Sequence, residues 1–184
     1  MSIPNILTVL RLILVPVFAV VFHFEGEAKV ASAIIFMVAS ITDVLDGYIA
    51  RKFNMSTKIG QLLDPLADKL MQLTAIVCLT LSGRLPLWFI IILAIKEILL
   101  IAGCTFLYIK KTYAKSNIFG KLYTVVLFVA LMLLMAVPEF STLFELLLLL
   151  IVVGIGIFAL SAYCYSYFLQ HKKFKQYIKK GENL

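Results

Sequence analysis

The sequence predicts an all-α, polytopic membrane protein with six transmembrane helices and both termini cytoplasmic. Three observations carry this. Of 184 residues, 62% are hydrophobic and 15% charged, and the mean hydropathy is +1.03. That leaves too little polar surface for a soluble domain of this length. Six apolar segments recur along the chain, each close to the roughly 20 residues that cross a bilayer. Basic connections alternate with connections that are not basic, as the positive-inside rule requires. The whole chain, 1–184, is expected to form a single membrane domain.

The first segment, Ile6–Phe24, follows Ser2-Ile3-Pro4-Asn5, an opening suited to an interfacial helix with Pro4 near its first turn. It has no basic leader, and Arg11 interrupts its apolar run. It is therefore expected to stay as a membrane helix and not to be cleaved as a signal peptide. The second segment is Val30–Ala50, the third Ile59–Leu81 and the fourth Leu85–Ile109. The fifth is Ile118–Val137 and the sixth Leu143–Leu169. No internal repeat or low-complexity linker separates them.

The connections set the orientation. His23–Lys29 carries Glu25 and Glu27 against Lys29, Ser82–Pro86 has only Arg84, and Pro138–Glu145 has two glutamates and no base. Arg51–Lys58 carries Arg51, Lys52 and Lys58, and Lys110–Lys121 carries Lys110, Lys111, Lys115 and Lys121, with no acid in either. The tail adds Lys172, Lys173, Lys175, Lys179 and Lys180. Cytoplasmic termini make every strongly basic connection cytoplasmic, and an even number of spans puts both termini on one side. The net charge of +7 is spread over these clusters, which suits anionic lipid headgroups and not nucleic acid. Cys78, Cys104 and Cys164 are widely spaced in apolar segments and read as buried thiols, with neither a disulfide framework nor metal-ligand spacing.

Four of the ten acidic residues fall between Asp43 and Asp68. Carboxylates in apolar helices are costly to desolvate, so a bound cation is the natural compensation. Asp43 lies about eight residues, roughly 12 Å, from the cytoplasmic end of its helix. Asp68 lies at a similar depth in the next. At 100° per residue, Asp43, Asp46, Gly47 and Ala50 share one stripe of the second helix. Gly60, Asp64 and Asp68 share a stripe of the third. The short basic connection makes the two helices antiparallel neighbours. Hard carboxylate oxygens with no nearby His or Cys suit Mg²⁺, Mn²⁺ or Ca²⁺ and not zinc. Four acids suffice for two cations with shared ligands, a pair able to clamp a diphosphate during an in-line displacement. Gly47, Ala50 and Gly60 beside them admit either a ligand or close helix packing. Arg51 is either a positive-inside anchor or a phosphate ligand.

The pattern Asp43-x2-Asp46-Gly47-x2-Ala50-Arg51-x8-Gly60-x3-Asp64-x3-Asp68 fills eight fixed positions across 26 residues. It resembles the full signature of the CDP-alcohol phosphatidyltransferase family. The stretch Leu63-Asp64-Pro65-Leu66-Ala67-Asp68-Lys69 and the opening Ile3-Pro4-Asn5-x2-Thr8-x2-Arg11 are similar to the bacterial branch making phosphatidylglycerophosphate and to its cardiolipin-synthase relatives. The resemblance implies two divalent cations, Mg²⁺ or Mn²⁺, with CDP-diacylglycerol as donor and CMP as leaving group. It implies a homodimer in the cell membrane with a cytoplasm-facing site. Carried over by position, Asp43, Asp46 and Asp64 are metal ligands, and Asp68 is a metal ligand or the catalytic base. Gly47, Ala50, Arg51 and Gly60 line the CDP-lipid pocket, joined by Asn5 and Thr8, whose other reading is helix-start chemistry.

The acceptor rests on fewer residues. Glycerol 3-phosphate needs basic partners, and Lys96 and Lys121 are the candidates; Lys96 has the alternative of pairing with Glu97. The resemblance leads one to expect further bases on the fourth helix and shortly after Gly120-Lys121, where this chain has Gly103-Cys104 and Leu122-Tyr123. Glycerol 3-phosphate is the first expectation, with phosphatidylglycerol, as in cardiolipin synthesis, the second. A cation transporter would need polar groups on both sides of the midplane, which this chain lacks. A membrane prenyltransferase would carry a second acidic motif, also absent.

Overall fold

The computed structural model describes residues 3–52, 58–109, 118–138 and 140–181. Among them there is no strand, and there are six helices: α1 Ile3–Phe24, α2 Val30–Lys52, α3 Lys58–Leu81, α4 Leu87–Ile109, α5 Ile118–Ala136 and α6 Thr142–Gly181. Five follow the apolar segments to within a few residues. The exception is α6, which continues past Leu169 through the basic tail. That stretch has no proline and no glycine before Gly181, where a helix commonly stops. At 1.5 Å per residue its 40 residues span about 60 Å, twice the thickness of a hydrocarbon core of about 30 Å.

By length and composition, Leu7–Phe24, Ile118–Ala136 and Thr142–Tyr163 are apolar enough to cross a membrane. The apolar run of α2 is shorter, Val30–Leu45. Charges break the others: Asp64, Asp68 and Lys69 in α3, and Lys96 and Glu97 in α4. Large apolar side chains stay exposed on all six helices, among them Ile13, Ile34, Leu73, Ile98, Val125 and Ile157. This is the exterior of a protein whose solvent is lipid. The hydroxyls of Ser40, Thr42, Thr74 and Thr80 donate to carbonyls three or four residues back, which satisfies them within their own helix.

The chain packs as two compact units, Met1–Ile90 with Phe128–Ser141, and Ile91–Leu127 with Thr142–Leu184. In the first, α1 packs on both α2 and α3, which also touch each other. Phe18 meets Phe22 and Phe36 at ring separations of 5.8 and 6.2 Å, and Phe36 stacks on Phe128 at 5.2 Å. Small buried residues, Ser32, Ala33 and Ala39 on α2 and Ala67 and Ala75 on α3, let the backbones approach.

One end of this unit is closed by reciprocal capping. The Nζ of Lys29 donates to the carbonyls of Phe22 and Glu25 at 2.8 and 2.7 Å, closing the C-terminus of α1. The carboxylate of Glu25 accepts from the Ala31 N–H, the Ser32 N–H (3.0 Å) and the Ser32 hydroxyl (2.6 Å), closing the N-terminus of α2. Burial alone would push the Glu25 carboxyl up. Those hydrogen bonds and the Lys29 charge outweigh it and hold Glu25 below the ordinary glutamate range. The turn after α3 needs Gly83, whose φ of 77° lies in the left-handed region, where the N–H of Arg84 returns to the Leu79 carbonyl at 2.9 Å. Arg84 then donates to the carbonyls of Val137 and Pro138 after α5, and the Lys29 N–H donates to the Met135 carbonyl at 3.1 Å. Cys78 is a free thiol and is half-buried, not buried as expected, because its part of α3 is partly open; Cys104 and Cys164 lie outside the described side chains.

Candidate active site

Within the first unit the acidic helices converge on α1. Asp43 on α2 forms an ion pair with Arg11 on α1. The Arg11 side chain is 1% exposed and that of Asp43 37%. A buried guanidinium is tolerated in an apolar bundle when a carboxylate offsets its charge. Asp68 on α3 is half-buried and within electrostatic reach of Asp43, Arg11 and Lys69. Two carboxylates from neighbouring helices and one buried cation thus share one region. Thr8, one turn before Arg11 on the same face of α1, is fully buried. Gly47, one turn after Asp43, is half-buried.

Asp43, Asp68, Thr8 and Gly47 are therefore the expected site residues placed in this unit. For Asn5, Asp46, Ala50, Arg51, Gly60 and Asp64 only the helical backbone is described, so their side-chain roles lie outside the described residues. Among the described residues no group of three metal-binding side chains is assembled. The donor chemistry of Asp43 and Asp68 nonetheless fits a hard divalent cation. Both present carboxylate oxygens, they lie close enough to repel each other, and the local charge already has to be balanced by Arg11. Arg11 was not singled out from the sequence as a site residue. Its signal was a lone arginine three residues after Thr8 in an apolar helix, at a depth close to that of the acids.

The second unit holds the other intramembrane charges. Lys96 on α4 is buried, and its Nζ donates to Glu97 Oε1 at 2.7 Å. The same ammonium lies 3.5 Å from the centroid of the Tyr123 ring on α5. Tyr123 is buried against Gly156 on α6. Phe119 and Phe158 close the same pair of helices, edge to face at 4.9 Å. Lys121 is not part of this cluster. It precedes Tyr123 by two residues, about 200° round the helix, and it is exposed. The two lysines expected to serve one acceptor thus lie on different sides of α5. The neutral Tyr123, at a place where another base was expected, contacts Lys96 instead.

This arrangement of acidic helices in an apolar helical protein defines a class. A family model described as CDP-alcohol phosphatidyltransferase matches residues 1–160. The chain belongs to this family, as its Asp43–Asp68 signature implies. It is similar to a CDP-diacylglycerol–glycerol-3-phosphate 3-phosphatidyltransferase of Salmonella paratyphi A, 48% identical over 80 residues, covering 43% of this chain and 44% of the relative. A probable phosphatidylglycerophosphate synthase of Mycobacterium tuberculosis is 39% identical over 101 residues, 53% of this chain and 48% of the relative. An Aquifex aeolicus protein with the same name as the Salmonella relative is 37% identical over 137 residues, 73% of this chain and 74% of the relative. The chain spans about half the length of the first two relatives it matches.

Proposed function

We propose that this protein transfers a phosphatidyl group from CDP-diacylglycerol to a hydroxyl of glycerol 3-phosphate, forming phosphatidylglycerophosphate and releasing CMP. The observation that carries the reading is the pair of carboxylates, Asp43 and Asp68, brought together with buried Arg11 in an otherwise apolar helix group. The names of the relatives favour glycerol 3-phosphate over phosphatidylglycerol as acceptor. The chain crosses the cell membrane six times with both termini cytoplasmic, works as a homodimer and opens its site to the cytoplasm.

Asp43, Asp46 and Asp64 would hold two divalent cations, Mg²⁺ or Mn²⁺, with Asp68 a further ligand or the base. When bound, these supply the positive charge that neutralises the donor diphosphate and the departing CMP. Gly47, Ala50 and Gly60 leave room for the CDP moiety against the backbone, and Arg51, Asn5 and Thr8 border it. Arg11 orients Asp43 through their ion pair. Asp68 accepts the proton of the acceptor hydroxyl as its oxygen attacks the β-phosphorus. The bond from that phosphorus to the CMP oxygen breaks, and the electron pair leaves with CMP. Lys96 binds the acceptor phosphate, with exposed Lys121 as a second candidate for it. The acyl chains of donor and product stay in the bilayer.

The test is CMP release by the purified protein with Mg²⁺ or Mn²⁺ and CDP-diacylglycerol, offered glycerol 3-phosphate, phosphatidylglycerol, inositol phosphate or serine in turn. Release with glycerol 3-phosphate is expected. Release only with phosphatidylglycerol would replace the acceptor, and no release with any of them would end the enzymatic reading.

A further inference from the structure

Two groups that hold the Lys96 ammonium differ chemically. Glu97 Oε1 stands 2.7 Å from Nζ and is partly exposed, its side chain at 29%. The Tyr123 ring stands 3.5 Å away and is buried. An ammonium in an apolar bundle is costly to hold with no partner. A second carboxylate beside Glu97 would make the cluster net negative and repel an anion. Beside the Glu97 carboxylate, an aromatic face adds compensation through its quadrupole without adding a second negative charge. The ring is itself seated by a specific absence. A Cβ added at Gly156 would lie 2.9 Å from Tyr123 Cε2 and 3.3 Å from Cδ2, and 3.7 Å from Lys96 Cδ. Even alanine at 156 therefore forces the ring, and the lysine stem against it, to move.

We propose that Tyr123, seated on Gly156, is a positioning residue that presents the Lys96 ammonium to the phosphate of the acceptor. The ring fixes the buried side of the ammonium, while Glu97 occupies the side that an acceptor phosphate takes over. Affinity for a phosphate-bearing acceptor then depends on an uncharged aromatic residue that never touches the acceptor. This rests on the acceptor role given to Lys96 under the proposed function.

The experiment measures the KM for glycerol 3-phosphate and for CDP-diacylglycerol separately, using the full-length protein in lipid nanodiscs with Mn²⁺. Tyr123→Phe keeps the ring and is expected to keep both values within about twofold. Tyr123→Leu is expected to raise the acceptor KM about tenfold and to leave the donor KM nearly unchanged. Gly156→Ala, which keeps every side chain of the cluster but moves the ring, is expected to raise the acceptor KM in the same selective way. It serves as the decisive variant if Tyr123→Leu does not assemble. Lys96→Met separates the two claims. If Lys96→Met raises the acceptor KM but Tyr123→Leu and Gly156→Ala do not, or if those variants raise both KM values equally, the positioning role is overturned and the acceptor role of Lys96 stands. If Lys96→Met leaves the acceptor KM unchanged, the acceptor role falls and the positioning role falls with it.

Discussion

The ion pair between Arg11 and Asp43 makes a prediction whose sign is unusual. Its partners are unequally buried, at 1% and 37% side-chain exposure. Asp43→Asn removes the ion-paired carboxylate from a fully buried guanidinium while Asp68 stays within electrostatic reach, so the cost is expected at the low end for a broken buried pair, about 3 kcal/mol. Arg11→Met leaves the remaining charge on Asp43, the less buried partner, and replaces methylenes with methylenes. Its cost is expected to be about 1–2 kcal/mol. The double variant removes both charges and should recover about 1–3 kcal/mol relative to Asp43→Asn alone. The second substitution therefore stabilises the protein. The assay is denaturant unfolding of the four proteins in detergent, followed by far-UV circular dichroism, with chelator present so that no metal bound at Asp43 contributes. Equal losses in the two single variants, or a double variant less stable than Asp43→Asn, would refute the reasoning.

Three further outcomes follow from named contacts. Arg84→Ala removes two charge-assisted hydrogen bonds to the Val137 and Pro138 carbonyls. It should lower stability by about 1.5–3 kcal/mol in the same unfolding assay without changing the KM for either substrate, and a stability equal to wild type would contradict it. Glu25 has a depressed carboxyl pKa in the folded state, so its contribution is complete above the unfolded value and fades as pH falls through the folded one. Glu25→Gln should therefore be less stable than wild type near neutral pH, with the gap closing below the ordinary glutamate range; a gap that does not vary with pH would count against the capping role. Asp68→Asn should reduce turnover by about 10²–10⁴-fold while CDP-diacylglycerol still binds, as followed by equilibrium dialysis with labelled donor. Wild-type turnover would remove Asp68 from the chemistry.

Much of the fold was legible because each helix carries its own signal in its own residues. The apolar runs and the connections between them mark five helices to within a few residues. Apolarity marks only part of α6, because its basic tail is helical without being apolar. The aspartates were legible because their spacing repeats the helical turn. Their partner Arg11 was not, since a contact across 32 residues belongs to tertiary packing and leaves no local periodicity. The same holds for Tyr123, whose sequence surroundings are those of any aromatic in an apolar helix. Glu25 and Lys29 register in the sequence as topology charges. They also cap the two helices they join, which an acid shortly before a helix start and a base shortly after a helix end could have suggested.

The central claim is that the protein joins a CDP-activated lipid to glycerol 3-phosphate. It is tested most directly by incubating the purified wild-type protein with CDP-diacylglycerol, Mg²⁺ and isotope-labelled glycerol 3-phosphate, then identifying the lipid product by mass spectrometry. The account predicts a single labelled lipid with the mass of phosphatidylglycerophosphate, formed in step with CMP and abolished by chelator. Label absent from lipid, with added phosphatidylglycerol converted to cardiolipin under the same conditions, would contradict it.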